Sequence, residues 1–283
     1  MIKISAHTMA TPEETLPEAI DLFAELGFDG VELICADDYP CGIGTDVQAG
    51  ELRTVRRAIE DHGLEVPNLV PYVREINVID AQVRRRCIDD LLRCIDFAVA
   101  LGAASVRIWA GTDPEPGHED EQYALLIDSL QQLAPVAGAA GVVLSVENHM
   151  GSHAITGAIT AGIVTDVGSA HVGVLYDPAN LLVLGDSDYR AALEVQLPHI
   201  THVHFKDVDV LGDNRHMPRI VGEGEVPWAE ILPALSAAGY DRFVTTEYEK
   251  RWHPDELPPS REGLAHELAA ARRMLDLTGG RDE

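Results

Sequence analysis

Along the chain, short runs of apolar, largely β-branched residues alternate with longer runs whose apolar positions recur every three to four residues. The first pattern predicts buried parallel strands, which read as near-continuous hydrophobic stretches. The second predicts helices with one apolar face. Strands are expected at Ile2–Ala6, Gly30–Ile34, Leu64–Val70, Ser105–Trp109, Val142–Glu147, Val172–Tyr176, Ile200–Lys206 and Arg242–Glu247. Helices are expected at Pro12–Leu26, Glu51–His62, Ala81–Leu101, Glu119–Ala140, Thr156–Val167, Ser187–Gln196, Trp228–Ala238 and Arg261–Leu277. Five helical runs stop at a glycine (Gly27, Gly63, Gly102, Gly141 and Gly239), where a left-handed backbone closes the last turn. Eight alternations without a long linker predict one closed (β/α)8 TIM barrel of the α/β class, a single domain over residues 1–278 with a frayed tail at 279–283. An open dinucleotide-binding sheet would want G-x-G-x-x-G after the first strand, where the sequence has Ser5-Ala6-His7-Thr8. The Gly222-Glu223-Gly224 segment after the seventh strand reads as a turn.

Composition narrows the partners more than the fold. The 283 residues, 46% of them hydrophobic, suit a barrel of the usual size of about 250 residues with a sizeable core. Lysine and arginine number 21 against 47 aspartates and glutamates, a formal charge of −26. Such a field repels phosphate backbones and anionic lipid, which argues against nucleic-acid and membrane partners. Cys35, Cys41, Cys87 and Cys94 form no C-x-x-C pair, and Cys87 and Cys94, seven apart on a helical pattern, are expected as reduced thiols on one buried face. The opening MIKISAHTMA lacks the apolar core of a signal sequence, and no stretch approaches the roughly 18 apolar residues of a membrane span, so a cytoplasmic protein is expected.

In a parallel barrel the strand C-termini share one rim, where active sites are built. The polar residues closing the strands are His7, Glu32, Arg107 with Trp109, Glu147, Asp177, His202 with His204 and Lys206, and Glu247. Alternation puts Ser145 with Glu147, His202 with His204 and Lys206, and Thr245 with Glu247 on common faces. Any single acidic residue at such a place can simply cap a helix or sit in solvent. Glu147, Asp177, His204 and Glu247, at the ends of strands five to eight, are a different matter. Converging carboxylates repel one another and lose hydration, and a divalent cation relieves both penalties. One imidazole among three carboxylates suits a borderline or hard ion such as Mn²⁺, Mg²⁺ or Co²⁺, with Zn²⁺ also compatible. Spacing does not rank them, and one Mn²⁺ is the cofactor expected.

Four segments, Val-Glu147-Asn-His149, Leu-Tyr-Asp177-Pro-Ala-Asn180, His202-Val-His204-Phe-Lys206-Asp207 and Thr-Glu247-Tyr-Glu249, resemble in order the strand-end motifs of the xylose isomerase-like TIM-barrel superfamily. Gly222-Glu-Gly224-Glu-Val-Pro-Trp228 is similar to the G-x-G-x-x-x-W stretch that follows strand seven there. The resemblance spans nearly the whole barrel and implies a sugar isomerase or epimerase. It places Glu147, Asp177, His204 and Glu247 on the metal positions and Glu147 and Glu247 on the pair that exchanges protons with substrate. Lys206 and Asp207 match a Lys-Asp pair bordering the substrate. One departure is Asp177-Pro-Ala-Asn180, where ketose 3-epimerases and inosose dehydratase carry Asp-x-x-His, so an amide stands in for a substrate-contacting histidine.

The chemistry expected of such a rim is proton abstraction beside a carbonyl, with a metal stabilising the negative charge and Glu147 and Glu247 as base and acid. Returning the proton gives an epimerase or isomerase of a ketose. Losing a β-hydroxyl or a glycosidic group instead gives a lyase or dehydratase on a keto-sugar or keto-cyclitol. Around the pair, Trp109 is expected either to stack on a sugar or to pack the barrel top, and Arg107 to form an ion pair inside the barrel. His7, His149, Asn180, Lys206 and Arg219 are candidate substrate contacts, and Glu32 is a candidate orienting partner. His216 and His253 carry no signal of their own. A small carbohydrate substrate and a homodimer or homotetramer complete the expectation. Metal-dependent phosphodiester cleavage, as in the endonuclease four branch of the superfamily, fits poorly with the −26 charge balance.

Overall fold

The computed structural model describes residues 1–279. Eight strands, β1 (Lys3–His7), β2 (Gly30–Cys35), β3 (Asn68–Pro71), β4 (Ser105–Trp109), β5 (Val143–Glu147), β6 (Val172–Tyr176), β7 (Ile200–Phe205) and β10 (Phe243–Thr246), form a closed all-parallel barrel. Outside it lie α1 (Leu16–Leu26), α2 (Ala49–Asp61), α3 (Ala81–Leu101), α4 (Glu119–Ala140), α5 (Gly157–Val167), α7 (Tyr189–Gln196), α8 (Trp228–Ala237) and α9 (Ser260–Gly279). The expected barrel is therefore the observed one. Of the expected tail, Gly279 ends α9 and residues 280–283 lie outside the described residues.

Local chemistry explains the ends. Asp80 caps α3 by accepting from the Gln82 and Val83 N–H groups, and Glu18 reaches back to the Thr15 N–H at the start of α1. Gly27, Gly63, Gly102, Gly141 and Gly239 all have positive φ, as helix closure asks. The third strand is shorter than its hydrophobic run because Pro67 offers no N–H to a ladder. Before it, only an isolated bridge joins Glu65 to Gly30. All four cysteines are buried free thiols. Among the described residues no helix is long and apolar enough to cross a membrane.

Alternation sorts each strand into two environments. On β4 and β5, Val106, Ile108, Leu144 and Val146 join the apolar core, while Ser105, Arg107, Ser145 and Glu147 take the other face. The inside of the barrel is thus largely a chain of buried hydrogen bonds. Ser105 Oγ donates to Asn68 Oδ1 (2.7 Å) and Asn68 Nδ2 to Glu32 Oε1 (2.7 Å). Glu32 Oε2 faces His202 Nε2 (3.2 Å), which also lies 2.9 Å from Thr245 Oγ1, and Thr245 meets Ser5 Oγ at 2.6 Å. A fully partnered network of this kind fixes side-chain orientation in a low-dielectric interior.

Two elements depart from the sequence expectation. Between β7 and α8 the chain forms an antiparallel hairpin, β8 (Asp207–Gly212) with β9 (Arg215–Arg219), rather than an open loop. Its turn is Asp213-Asn214, both with φ near +55° (53° and 56°), the left-handed pair that a two-residue hairpin turn requires. After β6, a six-residue helix, α6 (Pro178–Val183), starts directly at the rim with Asp177 as its cap.

The Asp207 carboxylate anchors the base of the hairpin. It accepts from the backbone N–H groups of Gly222 (2.8 Å), Gly224 (3.1 Å) and Val226 (2.9 Å). A Cβ at Gly224 would lie 2.3 Å from Asp207 Oδ1, so only glycine permits this approach. Asp207, expected beside the substrate, instead faces this loop.

Candidate active site and metal centre

Glu147 is the last residue of β5, Asp177 follows β6, His204 lies near the end of β7 and Glu247 follows β10. One ligand atom from each lies within 4.8 Å of the others. His204 Nδ1 is the hub, 3.1 Å from Glu147 Oε1, 3.5 Å from Glu247 Oε2 and 4.0 Å from Asp177 Oδ2. Its other nitrogen, Nε2, lies 3.1 Å from Glu32 Oε1. Glu32 therefore does what a carboxylate behind a metal-binding imidazole does: it orients the ring and leaves Nδ1 toward the other donors.

Cations offset the carboxylates. Arg107 Nε donates to Glu147 Oε2 at 2.5 Å, the expected ion pair inside the barrel. Lys206 Nζ stands 2.7 Å from Glu247 Oε2, 3.0 Å from Asp177 Oδ2 and 3.3 Å from Glu249 Oε1. Burial would raise Glu147, but Arg107, His149 and His204 hold it down to about 2. Glu247 lies well below the carboxylate range, since Lys206 and His204 outweigh its burial. Asp177 goes the other way, pushed up to about 6 by burial with Glu247 and Glu147 adding to it, despite Lys206.

The donor set fits a divalent ion. The Asp177 Oδ2 atom is buried and accepts no aligned hydrogen bond, even though the Lys206 ammonium is 3.0 Å away. An orphaned carboxylate oxygen facing two further carboxylates and an imidazole nitrogen is a coordination position by chemistry. A second grouping, Glu32 with His202 and His204, is closed by its own hydrogen bonds.

Above the donors opens a cavity of about 250 Å³, lined among others by Trp109, His149, Asn180, Lys206 and Glu247. Glu147 is not part of its wall and is fully buried. His149 donates Nδ1–H to the Met150 carbonyl at 2.6 Å, which leaves Nε2 as an acceptor, and burial lowers the ring to about 4. Its ring centroid lies 4.0 Å from that of Trp109, whose indole is also covered by the guanidinium of Arg74 at 3.8 Å. Asn180 lines the cavity while its Nδ2 donates to the Asn148 carbonyl at 3.1 Å, so it also braces the Asp177 turn. His7 is buried beside the donors with Nδ1 accepting the Met9 N–H (2.9 Å) and Nε2 unpartnered, and burial takes it down to about 4. Arg219 is elsewhere: it pairs with Asp209 across the hairpin, half exposed, and does not line the cavity.

Sequence reasoning missed two groups here. Tyr72 and Arg74, just beyond β3, enter the cavity wall; the expected strand stopped at Val70 and no polar residue closes it, so its rim end carried no signal. His216 and His253, without individual signal, and Glu249, noted only as part of the Thr-Glu247-Tyr-Glu249 motif, also line the cavity, with ligand atoms within 4.8 Å of one another. Nothing short of the hairpin fold would have joined His216 to the other two.

A family model for the xylose isomerase-like TIM barrel matches residues 20–274. The chain belongs to that family. Among curated relatives it is similar to the inosose dehydratase of Geobacillus thermodenitrificans, 27% identical over 152 residues, covering 49% of this chain and 51% of the relative. It is also similar to the 3-dehydroshikimate dehydratase of Pseudomonas putida, 28% identical over 232 residues, covering 80% of this chain and 35% of the relative. The chain thus spans about half or less of these two curated relatives. Among solved structures, the IOLI protein with a bound zinc atom superposes with a TM-score of 0.83 at 18% identity over 98% of this chain and 99% of that one. D-psicose 3-epimerase superposes with a TM-score of 0.77 at 20% identity over 97% and 99%. At these identities the structural likeness shows the shared fold.

Proposed function

We propose that this protein is a divalent-metal-dependent lyase that takes a proton from the carbon beside a ketone in a small keto-sugar or keto-cyclitol and expels water from the neighbouring carbon. Glu147, Asp177, His204 and Glu247 would hold the ion, Mn²⁺ being the first to try. Bound there, it supplies positive charge to the substrate oxygen where negative charge develops. The rest falls to side chains. The observation that carries the reading is the Lys206–Glu247 pair, an ammonium and a carboxylate 2.7 Å apart in the cavity wall.

Each partner keeps the other in its charged form, which gives Glu247 the protonation state of a base and Lys206 that of an acid, while making each weaker in that role than a group titrating near neutrality. Glu247 takes the proton from carbon, the electron pair moves into the new double bond, and the departing hydroxyl leaves as water with a proton from Lys206. Glu247 then returns its proton to Lys206 across their hydrogen bond, which balances the cycle. His149, neutral and with Nε2 free, accepts a hydrogen bond from a substrate hydroxyl. His7, fully buried and outside the cavity wall, keeps an unpartnered Nε2–H beside the donors rather than facing the substrate directly. Arg74 has no carboxylate partner among the described residues and stacks on Trp109 in the cavity wall, which favours a substrate bearing a carboxylate. The substrate named for the Pseudomonas relative, 3-dehydroshikimate, is of that kind.

An isomerase or epimerase is the second reading. It is favoured by the approach of both Glu147 and Glu247 to His204 Nδ1, at 3.1 and 3.5 Å, although Glu147 is walled off from the cavity by Arg107. Metal-loaded protein incubated in D2O with inosose, 3-dehydroshikimate and a panel of ketoses separates the two by NMR. Loss of water supports the lyase, and deuterium exchange with conserved mass supports the isomerase. Lys206→Met should retain the ion and lose elimination by about 10²–10⁴-fold. A Lys206→Met protein that eliminates water at the wild-type rate sinks the assignment.

A further inference from the structure

We propose that His216, Glu249 and His253 form a second divalent-metal site, distinct from the four-donor centre and reached from the same cavity. His216 stands on β9, and the other two lie on the segment between β10 and α9. That segment makes a helical turn, with the N–H of His253 bonded to the Glu249 carbonyl at 3.1 Å. The turn brings residues four apart to one side, and the hairpin then folds His216 over them. One ligand atom of each lies within 4.8 Å of the others, and the two imidazole centroids are 5.6 Å apart, tilted by 60° rather than stacked. Donors on an ion at about 2.0–2.2 Å stand somewhat closer than this, so a small tightening of the loop completes the set.

The hydrogen-bond inventory supports a ligand there. Neither ring nitrogen of His253 has a hydrogen bond to any described residue. His216 Nε2 has only Glu249 Oε2, at a long 3.3 Å. Glu249 is divided, with Oε1 facing Lys206 Nζ at 3.3 Å and Oε2 facing the imidazole. One carboxylate oxygen and two imidazole nitrogens make a two-histidine, one-carboxylate set, which selects Zn²⁺, Co²⁺ or Ni²⁺ over Mg²⁺ or Ca²⁺ and leaves coordination positions open. All three residues line the cavity that Lys206 and Glu247 line, so those positions are open to a substrate oxygen.

Chelator-treated full-length protein is loaded with Co²⁺ or Zn²⁺, desalted and assayed for bound metal. About two ions per chain are expected for the wild type and about one for His253→Ala or His216→Ala, with unchanged circular dichroism melting. Co²⁺-loaded His253→Cys should keep both ions and gain a thiolate-to-cobalt band in the near ultraviolet. That band decides the matter if the alanine variants fold poorly. A wild type holding one ion, equally well held by His253→Ala and with no band in His253→Cys, overturns the second site and leaves the four-donor centre standing. A single ion that survives Glu147→Gln but not His253→Ala upholds the second site and removes the metal from the proposed lyase centre.

Discussion

The two donor clusters of this barrel rim are built in opposite ways. Glu147, Asp177, His204 and Glu247 come from the ends of neighbouring strands, are almost fully buried, and are backed by Arg107, Glu32 and Lys206. His216, Glu249 and His253 come from a hairpin and a loop, are partly exposed, and have Lys206 behind Glu249 but no bonded partner behind either imidazole among the described residues. Strand-borne side chains inherit their direction from the sheet register, so their convergence follows once the barrel closes. The loop-borne ones converge only if Asp207 keeps the hairpin base in place. A site on rigid elements is preorganised, and a site on loops keeps the freedom to tighten around what it binds.

Substitutions can set the two clusters against each other. The largest effect is expected from Glu147→Gln, which removes a donor and leaves Arg107 without its partner. Turnover should fall at least about a thousandfold with loss of the strand-borne ion, measured by steady-state assay and elemental analysis, while the loop-borne cluster keeps its affinity. Equal loss at both clusters would show that they are one site. Next, Glu32→Gln touches no substrate but frees the His204 ring, so metal affinity at the strand-borne cluster should drop about 10–100-fold, as read by titration against a competing chelator. Asp207→Ala acts on the other side. It removes the acceptor of three loop N–H groups and should cost about 3 kcal/mol in chemical denaturation, while loosening His216 more than His204.

The smallest effect concerns pH. Glu267, on α9, is fully buried and is pushed from the usual 4.5 up to about 8, chiefly by burial, against hydrogen bonds from Thr246 and the Val221 N–H. The folded chain therefore holds a proton that the unfolded chain has released between pH 4.5 and about 8. This contribution to stability is whole below pH 4.5, declines through that window and is gone above about 8. Glu267→Gln keeps a neutral side chain and should flatten the fall in melting temperature between pH 5 and pH 8.5 by a few degrees, seen by calorimetry. An unchanged slope would mean that Glu267 is ionised in the fold.

The same contrast explains what could be read from the sequence. Apolar strands with period-two polar exceptions made the barrel and the four strand-end donors legible, because both follow from alternation. Helix α6 was not legible, since Pro178–Val183 is too short to show a helical period. Its start at Asp177 is a tertiary matter. The hairpin had one readable sign, Asp213-Asn214 between short alternating runs, and reading residues 207–219 as a loop left Arg219 as a substrate contact when it pairs with Asp209. The rim residues beyond β3 were obscured because Leu69-Val70-Pro71 ends that strand without a polar residue, so nothing marked Tyr72 and Arg74 as its continuation into the cavity.

The closure of the barrel by β1 against β10 has a temporal consequence. Ser5 pairs with Thr245, and the last donor, Glu247, lies just beyond that strand. A chain emerging from the ribosome carries three of the four strand-borne donors long before the final stave arrives, and until then the ring is open on one side. Capture of a cation at the proposed centre therefore has to wait until β10 pairs with β1. A product cut short before residue 243 would lack both the seam and the fourth donor, and it should sequester no ion at this centre, however much of the preceding structure it retained.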